Sequence, residues 1–144
     1  ESFTNEKGEG ASESCHNYGS EPAYFLSSYV LGVRRVGNVS EKQLIVEPRL
    51  ADLTFASGTV VTEFGPVDVS WQKSSDGQSL SFNVSIPKGI NAELHLPIMS
   101  DHSTLTLNNK VLVKGGLPTK EIYKKTRWYY IPKVTGEISG AVCK

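Results

Sequence analysis

Two groups of side chains in this sequence could do chemistry on a ligand: titratable groups crowded near one end and aromatic rings near the other. Residues 1–19 hold Glu1, Glu6, Glu9 and Glu13 together with Cys15 and His16. A carboxylate or an imidazole can move a proton during a reaction. It does so usefully only with a neighbour that holds it, an opposing acid and a pocket that excludes bulk water. A polar stretch rich in Gly, Ser and Glu supplies none of these by itself. Taken from the residues alone, His16 is a loop histidine and the acids are solvated charges.

Toward the other end, Trp128, Tyr129 and Tyr130 are consecutive. Strand geometry sends Tyr129 to the face opposite its two neighbours, so at least one of the three rings should be exposed. An exposed ring there could stack on the CH groups of a sugar, or pack at a sheet edge or an interdomain contact. Trp71 shares a strand face with Val67 and Val69 and is expected in the core. His95, between Leu94 and Leu96, falls on the wet face of its strand, and His102 sits in the polar turn SDHS; neither suggests a ligand or a base. Cys15 and Cys143 are read as two free thiols. No C-x-x-C or H-E-x-x-H spacing occurs, so no metal site is expected.

The elements that must position these groups follow from periodicity. Ser20 or Glu21 can cap a helix whose first turn accepts Pro22. Phe25, Leu26, Tyr29, Val30 and Val33 form one apolar stripe along it, with Gly32 and Gly37 at its exit and Arg34 and Arg35 at the negative end of its dipole. From Gln43 the period changes to two. Val67, Val69 and Trp71 oppose Asp68, Ser70 and Gln72, and Leu80, Phe82, Val84 and Ile86 oppose Ser81, Asn83 and Ser85. Turn chemistry at Ser57-Gly58, Gly65-Pro66, Ser75-Asp76-Gly77, Pro87-Lys88-Gly89 and Asn108-Asn109 divides the strands. Arg127 to Ile131 and Glu137 to Val142 read as two closing strands, with Pro132 at an edge. The expected fold is mainly β: an antiparallel, jelly-roll-like β-sandwich preceded by one α-helix.

With 144 residues the chain is one domain, or one domain and a piece of another. Fifteen basic and fifteen acidic residues cancel, so no long-range field gathers nucleic acid or an anionic membrane. No apolar run approaches the length of a membrane span, and ESFTNEKGEG lacks the zones of a signal peptide. The expectation is a soluble chain whose compartment, whether bacterial cytoplasm, periplasm or exterior, is not legible. The sequons at Asn38 and Asn83 matter only in a eukaryotic secretory route.

Two segments carry a family resemblance: AYFLSSYVLGVR at Ala23 to Arg34 and EPRLADLTFASGTVVTEFGPVDVSW at Glu47 to Trp71. In that order, and over about Cys15 to Pro97, they resemble the C-terminal part of bacterial α-L-rhamnosidases, inverting glycoside hydrolases built on an (α/α)6 helical barrel. The resemblance implies that residues 1–37 are the tail of the catalytic helical domain and residues 38–144 an accessory β-sandwich. It also implies that the chain begins inside a longer polypeptide. The SESCHNYG stretch at Ser12 to Gly19 is similar to the family pattern S-x-C-H-G-W, with Asn17 and Tyr18 in place of Gly-Trp. His16 then matches a sugar-contacting histidine and Glu1 the general base, with Glu6, Glu9 and Glu13 as nearby alternatives for the base. Inverting hydrolysis places two carboxyl groups about 6.5 to 9.5 Å apart across the scissile bond, leaving room for water. Most of the barrel that would hold them lies outside this chain, so the chain alone is expected to be silent.

Two readings follow. In the first, the sandwich is a structural accessory whose partners are the rest of the catalytic barrel and a rhamnose-containing glycan, with no cofactor. In the second, it is an independent carbohydrate-binding module that works through an exposed ring such as Trp128. A general interaction domain of immunoglobulin-like shape is a third. If the helix stripe lacks its partner, it is expected to fold onto the chain's own sheet or drive self-association.

Overall fold

The computed structural model describes residues 3–4, 10–11 and 21–144, so Glu1, Glu6, Glu9, Glu13, Cys15 and His16 lie outside the described residues. Strands β1 (Phe3–Thr4) and β2 (Gly10–Ala11) pair with each other as a small antiparallel ribbon. Helix α1 (Glu21–Phe25) follows and is continued by one π-helical turn, Leu26–Val30, closed by Leu31 N–H donating to the Leu26 carbonyl at 2.9 Å. The helix therefore stops short of the expected Val33. Gly32, at φ 79°, turns the chain into β3 (Val33–Val36), where backbone groups pair with a neighbouring strand instead of continuing the helix. A Cβ on Gly32 would stand 2.2 Å from the Glu47 carbonyl carbon, so the chain can turn there only with glycine. Val33 is buried in the core, while Tyr24, Phe25 and Leu26 remain exposed.

After a 3-10 turn at Val39–Glu41, the remaining strands are β4 (Gln43–Val46), β5 (Phe55–Thr62), β6 (Gly65–Lys73), β7 (Ser79–Ile86), β8 (Asn91–Pro97), β9 (Thr104–Leu107), β10 (Lys110–Lys114), β11 (Leu117–Pro118), β12 (Tyr123–Lys125), β13 (Trp128–Val134) and β14 (Gly136–Cys143). They form a seven-stranded sheet in the order β11-β10-β9-β14-β7-β6-β5 and a five-stranded sheet in the order β12-β13-β8-β4-β3. The fold is the expected mainly β, mainly antiparallel sandwich. One pair departs from the antiparallel rule: β4 and β8 run parallel, from Gln43 against Asn91 to Val46 against Leu94. Between them the chain leaves for the other sheet to build β5, β6 and β7, and a crossover of that kind returns it in the same direction.

Alternation decides which side chains meet between the sheets. Val67, Val69, Trp71, Leu80, Phe82 and Val84 from one sheet join Leu44, Val46, Leu94, Leu96, Tyr129 and Ile131 from the other in a single buried cluster. Each large apolar side chain so buried contributes about 1.5 to 3 kcal/mol. Tyr129 brings a hydroxyl into this core, where its Oη lies 2.7 Å from Ser103 Oγ. Tyr129→Phe removes that bond and leaves Ser103 without it, so a loss of about 1 to 2 kcal/mol is expected in urea unfolding.

Most turn expectations correspond to turns. Asn108 and Asn109 adopt φ 44° and 64°, as a two-residue hairpin between β9 and β10 requires. Asn108 is also tied to β14 by its N–H to the Ser139 carbonyl (2.7 Å) and by Ser139 N–H to its own Oδ1 (2.8 Å). Ser57-Gly58 and Gly65-Pro66 are corrections: the first lies inside β5, the second opens β6, and the turn between the two strands falls at Glu63-Phe64. Gly58 serves packing, since a Cβ there would come within 2.9 Å of Leu31 Cδ1. Pro132 sits in a bulge of β13, where the register against β8 shifts between Ile131 and Val134, beyond the end of the short β12. Among the described residues no helix is long and apolar enough to cross a membrane.

Candidate functional site

The outer face of the five-stranded sheet carries a connected group of charged and aromatic side chains. In β8, Ala92, Leu94 and Leu96 point into the core, which turns Glu93, His95 and Pro97 outward. His95 was expected on the wet face; its direction is as expected, but the residue is only 5% exposed. The roof over it is built by side chains distant in sequence. Tyr130 covers the imidazole with ring centroids 4.3 Å apart. His95 Nδ1 lies 2.7 Å from Glu47 Oε2, and Nε2 lies 2.9 Å from Glu93 Oε1. An ionised carboxylate only accepts, so both contacts are hydrogen bonds when the ring carries two protons or when one carboxyl retains its own.

Glu47 is the centre of this network. Its second oxygen, Oε1, takes Arg34 Nη2 at 3.2 Å and Arg49 Nη2 at 3.1 Å. Burial pushes the Glu47 carboxyl up, but the hydrogen bonds from His95 and Arg34, together with their charges, hold it below its ordinary value. The backbone makes the arrangement possible. Glu47 N–H donates to the Gly32 carbonyl (2.9 Å) and Arg49 N–H to the Tyr29 carbonyl (2.8 Å), which lays the π-helical turn beside the strand. Trp71 Nε1 donates to the Val30 carbonyl at 3.0 Å and so ties the same turn to the opposite sheet.

From Glu47 the contacts run to the surface in two directions. The Arg34 and Arg49 guanidinium carbons lie 5.8 and 5.7 Å from the centroid of the Tyr29 ring, within cation–π reach. Tyr29 stacks on Phe25 and meets Tyr24 edge-on, so the ion network is continuous with the exposed aromatic end of α1. On the other side, Glu93 Oε1 also accepts from Tyr123 Oη at 3.1 Å, and Tyr123 stacks on Tyr130 with rings 5.1 Å apart. Partial burial and the Glu93 carboxylate both push the Tyr123 phenol above its ordinary value. The polar atoms of this cluster are engaged with one another. Among the described residues no group of three His, Cys, Asp or Glu could hold a metal ion.

The aromatic expectations separate cleanly. Trp71 is in the core, 2% exposed. Tyr129 is buried, while Trp128 and Tyr130 emerge half-buried on the outer face. Trp128 lines an open cleft of about 380 Å³ with Pro48, Arg49, Leu50, Pro97 and Arg127. His102 is exposed in its turn and Cys143 is a free, exposed thiol. Glu1 and His16 lie outside the described residues, as does Cys15. The Glu47–His95–Glu93 cluster was missed from sequence. Its one local signal was the spacing of Glu93 and His95, two apart in a strand and therefore on one face.

Residues 33–108 match the family described as bacterial alpha-L-rhamnosidase C-terminal domain. An alpha-L-rhamnosidase of Alteromonas sp. (strain LOR) is 42% identical over 57 residues, which is 39% of this chain and 6% of that protein. Among solved structures, the alpha-L-rhamnosidase from Dictyoglumus thermophilum superposes with a TM-score of 0.73 at 23% identity, covering 88% of this chain and 14% of that one. The Streptomyces avermitilis alpha-L-rhamnosidase complexed with L-rhamnose gives a TM-score of 0.65 at 21% identity, covering 86% and 11%. At these identities the two structures speak to the fold. The chain spans between 6% and 14% of the length of these relatives.

Proposed function

Because this chain belongs to the bacterial alpha-L-rhamnosidase C-terminal domain family, we propose that it is the accessory sandwich of a glycoside hydrolase that removes terminal α-L-rhamnose by inverting hydrolysis, and that it performs no chemistry itself. In this reading water is the nucleophile and no cofactor is needed. Residues 1–37 close the catalytic helical barrel and residues 38–144 form the sandwich, with β3 stitched into the sandwich sheet by β4. Glu1 as general base and His16 as a sugar contact would act at the mouth of that barrel, on a loop that the sandwich anchors. Tyr24, Phe25 and Leu26 would be covered by the barrel.

The observation that carries the silent role is how the carboxylates that meet a histidine are used. Glu47 and Glu93 give their oxygens to His95, Arg34, Arg49 and Tyr123. An inverting pair must instead face each other across a gap that admits a sugar and a water. The Glu47 cluster is a brace between the helical turn and the sheet, and it stiffens the face on which the barrel would rest.

The cleft around Trp128 favours a second reading, the independent carbohydrate-binding module. Calorimetric titration of the purified chain with rhamnose-containing oligosaccharides separates the two. The accessory reading expects no saturable heat. Saturable binding that disappears in Trp128→Ala, at an unchanged melting temperature, would select the module instead.

A further inference from the structure

The two edges of the seven-stranded sheet differ in kind. At one, β11 is two residues long and ends in Pro118, a strand too short to template another. At the other, β5 runs eight residues, FASGTVVT, with no charged side chain and no proline. Long edges normally carry a lysine, a proline or a bulge that discourages pairing, and β5 pairs with β6 through all eight residues without a register shift.

The hydrogen-bond phase of β5 shows what its free edge presents. Phe55 faces Gln72 in the β5–β6 ladder, and just beyond it Lys73 N–H donates to the Thr54 carbonyl at 2.8 Å. Thr54 and the even positions after it are therefore the ones that exchange bonds with β6. Phe55, Ser57, Thr59 and Val61 turn their N–H and C=O groups to the open edge, where none has a hydrogen-bond partner among the described residues. The same four residues are exposed on the outer face, with Phe55 at 67% and Val61 at 84%.

We propose that β5 is a homotypic docking edge, pairing antiparallel with β5 of a second copy of this chain about a two-fold axis. The register follows from the sequence. Setting Ser57 opposite Thr59 sets Phe55 opposite Val61, so residues with outward-facing backbone groups meet residues of the same kind and exchange two bonds at each pair. The two large exposed apolar side chains then cover each other on both sides of the axis. Gly58 faces its own copy at the centre, where it adds no side chain to the narrow, non-hydrogen-bonded pair. With no charge on the strand, no like charges are brought together on it. The two seven-stranded sheets become one continuous sheet, and the exposed edge disappears.

Sedimentation velocity over a concentration series of the purified chain tests this. A monomer–dimer equilibrium is expected. Val61→Lys should weaken it by about tenfold or more, through the two symmetry-related Phe55–Val61 pairs, at an unchanged melting temperature. Thr59→Pro deletes an outward N–H, gives up the exposed Thr59 Oγ1 bond to Asp68 (2.6 Å) but leaves the backbone bonds to β6 in place, and should do the same. Phe25→Ser, on the helix end, should leave the dimer intact. In the unaltered chain, amide exchange at Ser57 and Thr59 should slow as concentration rises, a readout that does not depend on any variant folding. A monomer up to the solubility limit, or a dimer abolished by Phe25→Ser but indifferent to Val61→Lys and Thr59→Pro, would overturn the proposal. So would exchange at Ser57 and Thr59 that is independent of concentration. None of these outcomes bears on the rhamnosidase reading.

Discussion

Glu47→Ala lowers the unfolding free energy by about 3 to 5 kcal/mol, the range for removing one partner of a buried ion pair. The magnitude follows from what the carboxylate holds. One oxygen receives the buried imidazole of His95, and the other receives Arg34 and Arg49, at distances between 2.7 and 3.2 Å. Without it, Arg34 and Arg49 can swing toward water, but His95 is left under Tyr130 with Nδ1 unpaired. The pH dependence has a definite sign. The folded Glu47 carboxyl sits below its ordinary value, so the unfolded chain takes up its proton first as pH falls. The stabilisation is complete above the ordinary carboxylate range and is lost as pH drops through the lowered folded value. Urea unfolding at neutral and acid pH should show a steep acid loss in the unaltered chain and a shallower one in Glu47→Ala. A double-mutant cycle with His95→Leu should give a coupling well above the experimental error, since the two side chains touch.

Trp71→Ala should be of similar size, about 3 to 5 kcal/mol, for a different reason. The indole fills the space between the sheets at 2% exposure, and its Nε1 satisfies the Val30 carbonyl at 3.0 Å. Truncation leaves a cavity lined by neighbours that relax only partly, and it frees the π-helical turn that positions Arg49 and Glu47. Trp71→Phe keeps most of the volume but loses the donor, so it should cost about 1 to 3 kcal/mol. Its signature beyond stability is local: hydrogen exchange at Leu31 and Arg49, the amides bonded within or beside that turn, should accelerate more than exchange in β7 or β14. Uniform acceleration across the fold would mean that the tie to Val30 does not hold the turn.

What the sequence revealed and what it hid divide along the range of the interactions. The faces of β6 and β7 were legible because period-two alternation is a property of consecutive residues, and it placed Val67, Val69, Trp71, Leu80, Phe82 and Val84 in the core correctly. The Asn108-Asn109 hairpin was legible because asparagine tolerates positive φ. The parallel pairing of β4 with β8 was not, since two strands separated by three others leave no local signature. Neither was the burial of His95, whose outward direction was right but whose cover comes from Glu47, 48 residues away, and from Tyr130. The helix was overrun by three residues because Val33 fits both the helical stripe and a buried position of the strand that follows. The left-handed Gly32 decided between them. Glu1 and His16 rest on the family resemblance and lie outside the described residues.

Under the proposed function, this sandwich supports a catalyst without being one. The most direct measurement is the release of aglycone from an aryl α-L-rhamnoside by the purified, cooperatively folded chain, with Glu1→Gln and His16→Ala beside it. A rate equal to that of the buffer is expected for all three. Turnover by the unaltered chain that falls in either variant while folding is preserved would contradict it, and would place a working active site within these residues.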